Sequence, residues 1–162
     1  ISDFYDEAAV QVAEHLDATR TVGIDLLIDD CATQRRVLAT NPATRADMRA
    51  AAHALFARDG KAVSVVSDSG GFVTQRVLAT IVNIAADICQ QRICTPQDLE
   101  TAVTLGLGYP QGPLALGECW GAERVLQVLD NLQTVYGDPR YRPSPWLRRR
   151  ALLGLSLMHA ED

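Results

Sequence analysis

No apolar run in this 162-residue sequence approaches the roughly 20 residues needed to cross a bilayer as a helix, so no membrane span is expected. Positive charge is short as well. Fifteen Lys and Arg against 20 Asp and Glu leave a formal charge of -5, which argues against nucleic acid, whose phosphates need a basic face. The four cysteines (Cys31, Cys89, Cys94 and Cys119) are too scattered for a small disulfide scaffold. Cys89 and Cys94 have no histidine close by to complete a zinc set, so no metal site is expected, and reduced thiols in a cytoplasm are the expected state. Nothing at the start, Ile1 onward, reads as a signal segment. No G-x-G-x-x-G fingerprint of a dinucleotide-binding turn lies between a strand and its helix. What remains is 48% hydrophobic and 22% charged, the composition of an ordinary globular chain long enough to bury a core.

Two textures divide the chain. Residues 1–67 alternate helix and strand. Asp6–Leu16 carries apolar residues at helical spacing with acids in its first turn. The runs at 21–28 (TVGIDLLI), 35–40 (RRVLAT) and 62–66 (AVSVV) read as strands. Between the last two, Asn41-Pro42 breaks the pattern, and Thr44 is placed to cap a helix that ends at Gly60. From Phe72 onward the pattern is helical, with Val77, Leu78, Ile81, Val82, Ala85, Ile88 and Cys89 on one broad stripe. Thr95-Pro96-Gln97-Asp98 is a helix start, GLGYPQGP forces a turn, Gly112-Pro113 opens a helix running to about Tyr136, and Pro145-Trp146 begins a last one. Trp120 and Trp146 read as packing residues, and Arg148–Arg150 as a solvated face.

The stretch SVVSDSGGFVTQRVL, residues 64–78, joins the two textures and is where chemistry is to be sought. Asp68-Ser69-Gly70-Gly71 is similar to the loop around the nucleophilic serine of trypsin-like proteases. That chemistry needs a distant His and Asp on an all-β scaffold, whereas a long helix follows Ser69 here. The glycine pair is read as a sharp turn from strand to helix. His15, His53 and His159 have no identifiable orienting partner in the sequence.

In SDSGGFVTQRVLATIVNIAADICQQRICTPQDLETAVTLGLGYPQGPLALGE, Asp68, Gly71, Phe72, Arg76, Asn83, Ala85, Pro96, Asp98, Ala102, Gly106, Gly108, Pro110, Gly112 and Pro113 fall in register with a known pattern. The sequence resembles the 3-hydroxyacyl-CoA dehydrogenase family. The likeness is good over residues 62–135, and looser over TVGIDLLI and RRVLATNPAT. It implies an α/β remnant of a Rossmann-like domain at 1–67 followed by an all-α C-terminal domain at 68–162, mainly helical overall. Asp68, Gly70, Gly71, Phe72 and Arg76 would form the hinge beside the catalytic cleft.

The family's catalytic positions depart from the pattern. Where the resemblance calls for a histidine base, a glutamate that orients it and an asparagine that holds the substrate oxygen, this sequence has Asp25, Ala39 and Gln75. A carboxylate near its ordinary pKa is a poor base at neutral pH. The resemblance therefore implies a degenerate second copy behind a complete NAD-dependent 3-hydroxyacyl-CoA dehydrogenase of β-oxidation. The copy would shape the acyl-CoA cleft and build a homodimer through its helical domain, holding no cofactor itself. The alternative is an acyl-CoA-binding fragment, catalytic only when joined to a missing NAD-binding half.

Overall fold

The computed structural model describes residues 15–25 and 34–161, which divide into two compact units, Ile1–Arg76 and Val77–Asp162. The helix expected at Asp6–Leu16 lies outside the described residues except for His15 and Leu16, which form a turn. Cys31 and the end of the first expected strand also lie outside.

The first unit is built on a three-stranded sheet, β1 (Val22–Asp25), β2 (Arg35–Thr40) and β3 (Ala62–Ser67), in that order. β1 runs antiparallel to β2, with Ile24 opposite Leu38, and β3 runs parallel to β2, with Leu38 opposite Val65. The parallel pair needs a crossover, and helix α1 (Ala46–Phe56) supplies it. Thr44 does not cap that helix, contrary to the sequence expectation. Its hydroxyl donates to Thr21 O at 3.0 Å and accepts from Asn41 N at 3.1 Å, which leaves Arg45 as a cap without a side-chain bond. Asn41 makes the same turn its own, accepting from Ala43 N at 2.8 Å and donating to Ala18 O at 2.9 Å. Competition between local and long-range partners decided the hydroxyl's role.

Helix α2 (Thr74–Gln90) begins after the glycine pair and carries the chain into the second unit, which is all helical. There follow α3 (Pro96–Leu107), α4 (Pro113–Trp120), α5 (Ala122–Tyr136) and α6 (Pro145–Leu153). Thr95 caps α3 as its sequence promised, accepting from Asp98 N at 3.1 Å, and α3 stops at Gly108, whose φ of 68° is left-handed. The single helix expected from Gly112 to about Tyr136 is two, broken at Gly121, whose φ is 101°. Glu100 of α3 caps α4 by accepting from Leu114 N at 2.7 Å and Ala115 N at 3.2 Å, so α3 and α4 are tied end to side.

Fully buried Val82, Leu114, Val125, Val128, Leu129, Leu147 and Leu157 make the core of this unit. Asn83 is buried with them. It donates to Arg142 O at 2.9 Å and accepts from Ser144 N at 2.7 Å, fixing the approach to α6, which Ser144 caps. Beyond α6 the chain folds back: Trp146 donates its indole N–H to Leu157 O at 3.0 Å, and Glu118 accepts from Leu157 N. Arg150, expected on a solvated face, is instead 2% exposed and stacked on Trp146, because the returning segment covers it.

Gly117 marks where α4 meets α2 most closely. An added Cβ would lie 2.6 Å from Leu157 Cδ1 and 2.7 Å from Val82 Cγ1. Alanine gains up to about 1 kcal/mol over glycine inside a helix, whereas overpacking a filled core costs about 1–3 kcal/mol. Both neighbours are fully buried and have no room to retreat, so the clash decides the sign. Gly117→Ala is expected to lower the urea midpoint. A raised midpoint would mean that α2 and α4 separate freely.

Candidate functional site

The glycine pair and its neighbours form a tight turn within the first unit. Gly71 has φ of +70°, and an added Cβ there would press on the Arg76 backbone N at 3.2 Å. Phe72 follows with φ of 45°, a conformation that costs a non-glycine residue of order 1 kcal/mol and survives only when its surroundings impose it. They do. The Phe72 ring is 2% exposed, packs with Ala39 and Val66, and lies over Gly23, where a Cβ would come 3.2 Å from its Cε1. Arg76 closes the turn from the other side, donating to Gly70 O from Nε at 3.0 Å and from Nη2 at 2.6 Å, while its N–H donates to Gly71 O at 3.0 Å. Asp68 N donates to Thr40 O at 3.0 Å, tying the end of β3 to β2.

Asp25 and Gln75 converge on the first turn of α2. Asp25 sits at the end of β1, and its Oδ2 accepts from Thr74 N at 3.0 Å. The carboxylate therefore satisfies one of the free N–H groups at the start of a 17-residue helix and lies at the positive end of its dipole. Gln75 is 1% exposed, and its Oε1 is buried with no hydrogen-bond partner among the described residues. Ala39, fully buried on β2, brings a methyl group and no polar atom. The trio thus brings together a carboxylate, a methyl group and an amide that has both a carbonyl acceptor and an NH2 donor.

The residues of this turn do not fit a dinucleotide. Phosphate cradles use open N–H groups at a helix start, and here one of those groups is taken by a carboxylate of the same chain, whose charge repels an anion. Gly71 is required for the chain reversal into Arg76.

The remaining titratable groups are scattered. His15, His53 and His159 are all exposed, on a turn, on α1 and past α6 respectively. Among the described residues no three His, Cys, Asp or Glu side chains are placed to share a metal ion, and no helix is long and apolar enough to cross a membrane. In the helical unit a pocket of about 440 Å³ opens among Cys89, Arg92, Cys94, Asp98, Trp146 and Glu161. Burial pushes the Cys89 thiol up to about 11, so it stays protonated and is a poor nucleophile at neutral pH. Glu161 is engaged by Arg149 and Arg150.

The model of the 3-hydroxyacyl-CoA dehydrogenase C-terminal domain matches residues 71–157, which begins at the tight turn and spans the helical unit to Leu157. A 3-hydroxyadipyl-CoA dehydrogenase of Escherichia coli is 46% identical over 96 residues, 59% of this chain and 20% of that protein. A probable 3-hydroxybutyryl-CoA dehydrogenase of Bacillus subtilis is 34% identical over 119 residues, 74% of this chain and 40% of its own length. The chain thus spans well under half of these relatives. Ninety-six residues at 20% make the E. coli relative about 480 residues long, whereas 119 at 40% make the B. subtilis one about 300. The crystal structure of (S)-3-hydroxybutyryl-CoA dehydrogenase from Ralstonia eutropha superposes with a TM-score of 0.80 at 26% identity, covering 87% of this chain and 52% of that one. The structure of 3-hydroxybutyryl-CoA dehydrogenase from E. coli K12 gives 0.71 at 38% identity, covering 82% and 27%. With the family model matching more than half of its residues, the chain belongs to the 3-hydroxyacyl-CoA dehydrogenase family, whose C-terminal domain it carries.

Proposed function

We propose that this chain is a non-catalytic second copy, residues 1–67 a reduced Rossmann-like part and 68–162 a helical domain, carried by an NAD-dependent 3-hydroxyacyl-CoA dehydrogenase. The parent oxidises 3-hydroxyacyl-CoA to 3-oxoacyl-CoA, works in the cytoplasm as a dimer, and takes its hydride acceptor and its base from a complete unit elsewhere. This copy packs against that unit and shapes its acyl-CoA cleft. The observation that carries the proposal is the hydrogen bond from Thr74 N to Asp25 Oδ2. At the place where the family resemblance calls for a base, the side chain is committed to holding a helix start. Ala39 and the unpartnered Gln75 carbonyl agree with lost chemistry. The difference in length between the E. coli and B. subtilis relatives leaves about 180 residues, comparable to this chain.

The test is NADH oxidation with acetoacetyl-CoA by the 162-residue chain in large excess, followed by absorbance. No turnover above the blank is expected, and clear turnover would overturn the proposal. Asp25→His adds a sharper prediction. The bond to the helix start is worth about 1 kcal/mol, so the variant should lose about that much stability and melt at a lower temperature while remaining inactive, since Ala39 and Gln75 are unchanged. A variant that gained turnover would show that Asp25 blocks a site otherwise intact.

A further inference from the structure

Two thiols meet where α2 ends. Cys89 is 3% exposed in the last turn of that helix, and Cys94 follows a chain reversal and is part-exposed. Backbone bonds fix the reversal: Arg92 N donates to Cys89 O at 3.0 Å, and Ile93 N donates to Ile88 O at 3.2 Å. Arg92 takes a left-handed φ of 56°, which turns the chain back along the helix it has just left. Both cysteines line the same pocket of about 440 Å³, whose wall includes Trp146. They also feel each other. Burial first, and the Cys94 thiol after it, push the Cys89 thiol up to about 11. An oxidant that enters the pocket therefore meets its reactive sulfur at Cys94, because Cys89 is nearly enclosed and protonated. An accessible thiol beside a buried one is the arrangement in which the second can resolve what happens to the first.

We propose that Cys89 and Cys94 are a redox pair, which a hydroperoxide oxidises to a disulfide that staples the end of α2 to the approach to α3. The Cys94 sulfur attacks a peroxide oxygen, the O–O bond breaks, and an alcohol (water, for hydrogen peroxide) leaves with the thiol proton. Cys94 is then a sulfenic acid, oxidised by two electrons as the peroxide is reduced. The Cys89 sulfur attacks that of Cys94, the S–S bond forms as the S–O bond breaks, and the Cys89 proton leaves with the oxygen as water. In sum, two thiols and one hydroperoxide become one disulfide, one alcohol and one water. The proton held by Cys89 slows the second step, and the closeness of the two groups offsets this. A disulfide needs Cβ atoms about 3.5–4.5 Å apart. Gln91, Arg92 and Ile93 between the pair are exposed, so the turn can close to that distance without disturbing the core. Thr95 and Pro96 open α3 immediately beyond, which is why the bond would hold two helix ends together.

Peptide mapping without reductant tests the pair. The chain carrying Cys119→Ser, a change at an exposed position outside the pocket, is reduced, freed of reductant and given a small excess of hydrogen peroxide. Its mass should fall by two hydrogens. Trypsin cuts at Arg92, between the two cysteines, so peptides 77–92 and 93–124 should stay joined until dithiothreitol separates them. With Cys94→Ser added, Cys89 should be oxidised at least about ten-fold more slowly, since a buried, protonated thiol is a poor nucleophile. With Cys89→Ala added instead, Cys94 should stop at the sulfenic acid and be trapped by dimedone. The joined peptides are read on a chain that keeps both thiols, so that result stands even where Cys89→Ala unfolds. Sulfinic acid on Cys94 with Cys89 still a free thiol would overturn the pairing. So would a bond from either cysteine to Cys31 or to another chain. Oxidation of Cys89 at an unchanged rate in Cys94→Ser would overturn the order of attack.

Discussion

Arg150→Met is expected to cost the helical unit about 2–3 kcal/mol, the range for losing hydrogen bonds from a charged donor to enclosed carbonyls. The guanidinium is 2% exposed and lies 3.2 Å over the Trp146 ring. It donates to His159 O from Nε at 3.1 Å and also from Nη2, to Trp146 O at 3.4 Å, and to Glu161 Oε1 at 3.2 Å. Methionine fills much of the space but leaves the His159 carbonyl without a donor. Lysine keeps the charge and loses the planar fork, so Arg150→Lys should rescue less than half of the loss. Denaturant melts followed by tryptophan fluorescence measure both. A loss below about 1 kcal/mol for Arg150→Met would mean that the returning segment holds without its clamp.

The same cluster sets an acid response. Hydrogen bonds from Arg149, then Arg150, hold the Glu161 carboxyl below its ordinary value of 4.5. A depressed folded pKa contributes stability that is present above the unfolded value and is lost as pH falls through the folded one. Glu161 is largely solvated, so the contribution is small and screened by salt, and it fades below about pH 4.5.

Asn83→Leu is expected to cost about 2–3 kcal/mol, the range for leaving buried polar groups unpaired. Asn83 is 7% exposed and serves both Arg142 O and Ser144 N, the latter on a residue only 1% exposed. Leucine keeps the branching, is bulkier, and supplies neither bond. The fault would reach α6, because Ser144 accepts from Trp146 N at 3.3 Å as that helix's cap. A urea melt should show a lower midpoint with an unchanged slope. A midpoint as in the parent chain would mean that the turn before α6 finds its partners elsewhere.

Local signals were readable from the residues alone. The Thr95-Pro96 start needs only its own four residues, and the GLGYPQGP turn only its glycines and prolines, and both stand in the structure. Features decided at a distance were not. Thr44 has the chemistry of a cap, but Thr21 O, 23 residues away, takes its hydroxyl. Periodicity cannot tell an inner face from an outer one, so Val77 and Val82 fell on one stripe although the structure buries only Val82. Arg150 reads as surface beside Arg148 and Arg149, and only the returning segment at residues 157–161 makes it core. The Gly121 break hides in an otherwise continuous helical pattern, because glycine inside a helix is tolerated at modest cost. At the candidate site the residue types at Asp25, Ala39 and Gln75 were visible, but the capping role of Asp25 depends on a contact across 49 residues.

Leu157 closes a core that Val82 opens: its side chain lies against Gly117, and its backbone is held at both ends by Glu118 and Trp146. During vectorial synthesis the helical unit therefore cannot finish packing until Leu157 has been added, four residues beyond the end of α6. A premature stop just beyond α6 would take away part of the interior, and the truncated product would present Val82 and Trp146 to the quality-control machinery as exposed apolar surface.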